Sequence, residues 1–173
     1  HLIGEPYLER ELTDAGLTLS SSPSETDVVI VSLDRDLNYA KLHHAYEAAR
    51  SGAKVYATNP DLVCPTGQGD IIDAGATVAA IEALMGRRID GVFGKPSLGM
   101  AETARLRTRS VPRETLVVGD RIETDIAMGI QAGMRTALVL SGATDRQRAI
   151  DSDQQPDFTV SSLSELPRVL GAG

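Results

Sequence analysis

Aromatic side chains are scarce in this chain: it has no tryptophan, two phenylalanines and four tyrosines. Any core must therefore be aliphatic, and 42% hydrophobic residues supply enough material for one. Cys64 is the only cysteine, which excludes an internal disulfide and a Cys-rich zinc site and fits a reducing cytoplasm. No apolar run approaches the roughly 18 residues of a membrane span, and no segment reads as a signal peptide. No G-x-G-x-x-G follows a strand-like run, which argues against a dinucleotide-binding module. An initiator methionine is also lacking. The chain begins His-Leu-Ile-Gly-Glu-Pro, straight into a strand-like segment, and reads as a piece of something longer.

What is present is unevenly distributed. The net charge of −7 lies wholly in the first half: residues 1–92 hold 14 acids and 7 bases, and residues 93–173 hold 10 of each. The split hints at two units, neither with the basic surface that nucleic acid requires. Strand-like and helix-like runs alternate throughout, which predicts an α/β fold with parallel sheets. Helices are expected over 6–15, 39–51, 74–85, 98–107, 145–150 and 163–170. Strands are expected over 1–4, 27–33, 55–58, 90–93, 115–118, 136–140 and 158–160. Residues 62–70 read as a loop whose glycines could bring backbone N–H groups near an anion. Cys64 there reads as a small packed residue.

The organising stretch is TLVVGDRIETDIAMGIQAGMRTALVLSG, residues 115–142. It reads as strand, acidic turn, helix, glycine stop and strand. Leu116, Val117 and Val118 form a short apolar run, as in a strand buried on both faces. Gly119 permits the turn, Thr124 suits a helix N-cap, and Asp125 suits the first helical turn. Asp120 and Asp125 thus fall at the carboxyl ends of parallel strands, where open sheets bind ligands. Two such oxygen donors suit Mg²⁺; the alternative is a cap and a solvated loop acid. Lys95, in Gly-Lys-Pro-Ser after another strand, could neutralise a carboxylate or a phosphate oxygen, or simply be exposed.

Taken together, GKPS and VVGDRIETDIAMGIQAGMRTALVLSG resemble the last two signature motifs of the haloacid dehalogenase-like phosphatases. Upstream, VVIVSLDRDLNYAKLHHAYEAARSGAKVYATNPD and GATVAAIEALMGRR resemble the cap region of the branch with the NagD-type and 4-nitrophenyl phosphatases. The resemblance covers nearly the whole chain. It implies a Rossmann-like core interrupted by a mobile α/β cap, with residues 1–90 as cap and 91–173 as the C-terminal half of the core. It implies Mg²⁺-dependent hydrolysis of a small phosphomonoester through an aspartyl-phosphate intermediate. Lys95 matches the lysine that offsets the charge of nucleophile and phosphoryl group, Asp120 the acid that binds Mg²⁺, and Asp125 the acid that supports the metal shell. The Asn59-Pro60-Asp61 turn lies near the cap–core junction, so Asn59 and Asp61 are expected to face substrate.

The family's Asp nucleophile, in a D-x-D motif, and its second-motif Ser or Thr have no match here. Asp34 and Asp36 follow a cap strand and read as a polar strand end. His43 and His44 read as surface or packing residues. The chain alone is therefore expected to be inactive, with an uncovered sheet edge that invites self-association. The competing reading is a non-catalytic descendant that keeps the fold for binding. Upstream sequence, with or without a D-x-D-G-T-like segment, discriminates the two.

Overall fold

The computed structural model describes residues 1–171, and the chain divides into two compact units, His1–Gly94 and Lys95–Gly173. Each has its own parallel sheet. The division falls after Gly94, and Gly91–Val92 (β6) pairs in parallel with Lys54–Ala57 (β3), matching Tyr56 to Gly91 and Ala57 to Val92. That short strand therefore belongs to the first unit's sheet.

In the first unit, Leu2–Ile3 (β1), Val28–Val31 (β2), β3 and β6 form a four-stranded sheet in the order β1-β2-β3-β6. Alternation along the strands places Ile3, Val29, Val31 and Val55 on one face, all fully buried. Tyr39–Arg50 (α2) and Ala74–Met85 (α3) contribute Ala45, Ala48 and Ile81 to the same core. Small alanines on α2 leave room for the aliphatic strand residues, which is how a core nearly free of aromatics closes. Pro6–Asp14 (α1) buries no residue fully. On the opposite sheet face Ile30 and Tyr56 are half-buried, and they line a cavity of about 630 Å³ with Leu12, Leu17, Leu19 and Phe93.

Residues 62–70, expected as a loop, instead start a hairpin of Val63–Thr66 (β4) and Gly69–Ile72 (β5). Gly67 and Gln68 are its two-residue turn, a length that antiparallel strands favour. The Thr66 hydroxyl donates to the Gly69 carbonyl at 2.6 Å, and Thr66 Oγ1 also accepts from the Gln68 N–H at 3.2 Å. The strands are short and one carries Pro65, so no alternating pattern marks them.

In the second unit, Leu116–Gly119 (β7), Arg135–Val139 (β8) and Phe158–Val160 (β9) form a parallel sheet in the order β7-β8-β9. Central β8 is buried from Thr136 to Val139. Leu98–Thr108 (α4), Ala127–Gln131 (α5), Arg146–Asp151 (α6) and Leu166–Val169 (α7) complete the unit. Ala101 is the one buried residue of α4, in keeping with its lack of an apolar stripe. β7 is not buried on both faces as its apolar run suggested. It is an edge strand of this sheet, and Val118 is 38% exposed.

Candidate active site

β7 ends at Gly119, and the chain turns through Asp120 and Arg121 into a π-helical turn over Ile122–Ile126 that leads into α5. This changes the local reading. Thr124 is no N-cap; it lies buried inside the π-helical turn, as do Ile122, Asp125 and Ile126. Wide π-turns are rare and recur at functional sites. Here the turn carries the Asp125 side chain back beneath the residue that follows Asp120. Asp125 Oδ2 accepts from the Arg121 N–H at 3.2 Å. A Cβ on Gly119 would fall on the Asp125 carboxylate, so glycine there keeps the space the acid occupies.

Lys95 opens the second unit and reaches the same carboxylate, with Nζ 2.7 Å from Asp125 Oδ1. The Lys95 side chain is 43% exposed and that of Asp125 only 6%. A carboxylate so enclosed is costly without partners. Lys95 and the Arg121 N–H supply them, one to each oxygen. The charge-assisted contact orients the lysine while leaving much of its ammonium open to solvent.

Asp120 is more accessible and less engaged. Its Oδ2 accepts from the Ala143 N–H at 2.7 Å, and its main-chain carbonyl accepts from the Thr144 N–H at 3.0 Å. Among the described residues no donor to Oδ1 is present. One open carboxylate oxygen, on the turn that also carries a lysine-paired acid, fits Mg²⁺, which takes one or two protein carboxylates and leaves its other positions to water and phosphate. No group of three His, Cys, Asp or Glu side chains able to hold a metal occurs among the described residues. A dedicated all-protein cage is thus not what this site offers.

Asn59 and Asp61 belong to the first unit, where they build a turn. Asn59 Oδ1 accepts from the Asp61 N–H at 2.9 Å, and Asn59 Nδ2 donates to Asp73 Oδ1 at 3.3 Å. The Asp61 carbonyl accepts from the Gly75 N–H at 2.8 Å, tying the turn to the start of α3. Asn59 therefore has a structural task whatever else it does. Asp34 is ion-paired with Lys41 at 2.6 Å and its side chain is 3% exposed, the arrangement of a polar strand end. His44 hydrogen-bonds Thr26 Oγ1 at 3.1 Å, and its partial burial lowers its pKa. Residues 142–144, which hold Asp120, carry no side-chain signal; their role lies in backbone groups and in the absence of a Cβ.

Comparison with known proteins converges on one family. Residues 92–166 match the HAD-hydrolase-like family. The chain is 37% identical over 99% of its length to the sugar-phosphatase AraL of Bacillus subtilis, and spans 62% of that protein. It is 36% identical to the ribonucleotide monophosphatase NagD of Escherichia coli over 96% of the chain and 64% of the relative. Among solved structures, the p-nitrophenyl phosphatase from Archaeoglobus fulgidus superposes with a TM-score of 0.88 at 31% identity, covering 97% of this chain and 66% of that one. The 4-nitrophenylphosphatase from Thermotoga maritima gives 0.87 at 33% identity, covering 96% and 63%. The chain thus spans less than two-thirds of the length of these relatives. It belongs to the haloacid dehalogenase-like superfamily, on the branch of the NagD and 4-nitrophenyl phosphatases.

Proposed function

We propose that this sequence is the cap and the C-terminal half of the core of a Mg²⁺-dependent phosphatase acting on a small phosphorylated metabolite. The observation that carries the reading is the acidic turn after β7, which holds Asp120 with an open carboxylate oxygen and, five residues on, Asp125 in an ion pair with Lys95 at 2.7 Å. In this reading His1–Gly94 supplies the cap, with Asn59 and Asp61 on its substrate-facing turn, and Lys95–Gly173 supplies the metal and lysine end of the site. The open edge of β7 suits a further strand, which would bring the nucleophilic aspartate next to Asp120. Names of relatives span sugar, nucleotide and nitrophenyl phosphates, which supports a phosphomonoester and leaves its identity open.

Each residue then has a chemical task. Asp120 would hold the cation, while Asp125 keeps Lys95 in place and would support the metal site. Lys95 offsets the negative charge of nucleophile and phosphoryl group. When bound, Mg²⁺ supplies charge stabilisation on the phosphoryl oxygens. The cap excludes water and selects the leaving group. With neither a nucleic-acid nor a membrane surface in its composition, the protein would work in the cytoplasm, with self-association where the β7 edge stays uncovered.

The test compares two preparations with Mg²⁺ and p-nitrophenyl phosphate: the full-length gene product and the mass-verified 173-residue chain. Turnover is expected only from the former, because a covalent route needs a nucleophile in line with phosphorus. Robust turnover by the 173-residue chain, abolished by Asp120→Asn, would show that the nucleophile lies within it. Absence of turnover by the full-length product would favour the binding protein.

A further inference from the structure

Asp120 is gripped from one side by the loop that follows β8. The Ala143 N–H donates to Asp120 Oδ2 at 2.7 Å, and the Thr144 N–H donates to the Asp120 carbonyl at 3.0 Å. Thr144 is 1% exposed, so the loop is anchored in the unit and is not a surface flap. A Cβ built on Gly142 would fall on Asp120 Oδ2 and would lie 2.5 Å from its Cβ and 2.6 Å from its Cγ. No side chain fits at position 142 unless the aspartate moves.

We propose that Gly142 and the Ala143 N–H form a backbone cradle that positions Asp120, engaging Oδ2 so that Oδ1 is presented to a divalent cation. The inference rests on the phosphatase reading above, and it assigns a role to the loop after β8, from Gly142 at the end of the motif-like stretch to Thr144 beyond it. The cradle is neutral, so it orients the carboxylate without competing for the cation. It is also backbone, so it holds the acid more rigidly than a side-chain partner would. Mg²⁺ demands near-ideal octahedral geometry, which makes it sensitive to displacement of a ligand. Altering an outer partner of a metal ligand commonly costs about 10- to 100-fold in affinity or activity.

The experiment uses the full-length gene product and measures Mn²⁺ binding by electron paramagnetic resonance, alongside the Mg²⁺ dependence of turnover. Gly142→Ala is expected to weaken Mn²⁺ binding by about tenfold or more and to raise the half-saturating Mg²⁺ to match. KM for p-nitrophenyl phosphate at saturating Mg²⁺ and the melting temperature of the metal-free protein should barely move. Gly99→Ala is the control, since a Cβ there meets nothing within 4 Å. Should Gly142→Ala not fold, Ala143→Pro removes the N–H donor without adding a group at position 142, and the same loss of Mn²⁺ affinity is expected. Parent-like Mn²⁺ affinity in either folded variant, with Asp120→Asn weakened, overturns the cradle and spares the metal reading. Failure of the unmodified protein to bind Mn²⁺ overturns both.

Discussion

The two units use the same alternation of strand and helix to different ends. The first carries all of the net charge, 14 acids against 7 bases, and many of its carboxylates are tied up locally: Glu5 with Arg35, Asp34 with Lys41, Asp90 with Lys54 and Arg87. Its aliphatic core is closed by two helices, α2 laying alanines against the strand valines and α3 adding Ile81. The second unit is neutral, with 10 acids and 10 bases, yet it keeps one acid, Asp120, with an oxygen unengaged at a strand end. Charge count says little about where chemistry lies. A surplus of surface acid is ordinary, whereas the strand-end carboxylate half held by backbone, on the same turn as the lysine-paired acid, is the one on which the proposed cation site rests.

The sharpest way to break the comparison is through the first unit's core. Ile81→Ala removes a fully buried side chain that packs with Val29, Val55 and Ala48, and the cavity should cost about 2–5 kcal/mol. Near-ultraviolet signals are weak in a chain so poor in aromatics, so the measurement is hydrogen exchange in urea. Amides of β2 and β3 should lose protection while those of β8 keep theirs. Equal loss in both sheets would mean that the units unfold as one.

Next comes the ion pair. Lys95→Met leaves Asp125 enclosed with the Arg121 N–H as its remaining partner. A fully buried acid left unpaired costs about 3–5 kcal/mol, and the exposure of the lysine reduces this to about 1–3. Amides of α5 and β8 should report the loss. No change in their exchange would show the pair to be idle in stability, and Lys95 would then act on ligand alone.

The smallest expected effect separates the units by pH. Hydrogen bonds from Arg35 hold Glu5 down to about 2, against an ordinary 4.5, and the Val55 N–H with Lys54 and Arg87 holds Asp90 down to about 2, against 3.8. A depressed folded-state pKa stabilises the fold above the unfolded value, and that contribution disappears as pH falls through the folded one. The first unit should therefore lose stability between pH 4.5 and about 2, and Glu5→Gln together with Asp90→Asn should flatten the dependence. An unchanged acid profile in the double variant would remove these pairs as its cause.

Much of this was legible in the residues. Helix α3 begins and ends where its pattern says, because Asp73 caps one end and Gly86, in the left-handed region, closes the other. Strand β9 was equally plain, and Lys95 and Asp125 meet as their strand-end positions suggested. What escaped had no periodic signal. The β4–β5 hairpin is too short and too rich in Pro and Gly to alternate visibly. Thr124 looks like a cap because Ser, Thr and Asp before an apolar run usually are; the π-helical turn starts earlier and buries it. An apolar triplet cannot reveal whether its strand is central or at an edge, which is why β7 read as doubly buried. The 141–144 loop was invisible because hydrogen bonds from backbone N–H groups do not depend on residue identity.

The most direct measurement is phosphate release from p-nitrophenyl phosphate by the full-length gene product, titrated with Mg²⁺, for the parent and Asp120→Asn. Asp120 lies at a strand end among backbone donors and not in the core, so the variant should keep its circular dichroism spectrum. Release by the parent should require Mg²⁺, and Asp120→Asn should lower it by about a hundredfold or more, with the deficit largest at limiting Mg²⁺. Parent-like release from the folded variant at limiting Mg²⁺ would contradict the metal role of Asp120 and the phosphatase site built around it.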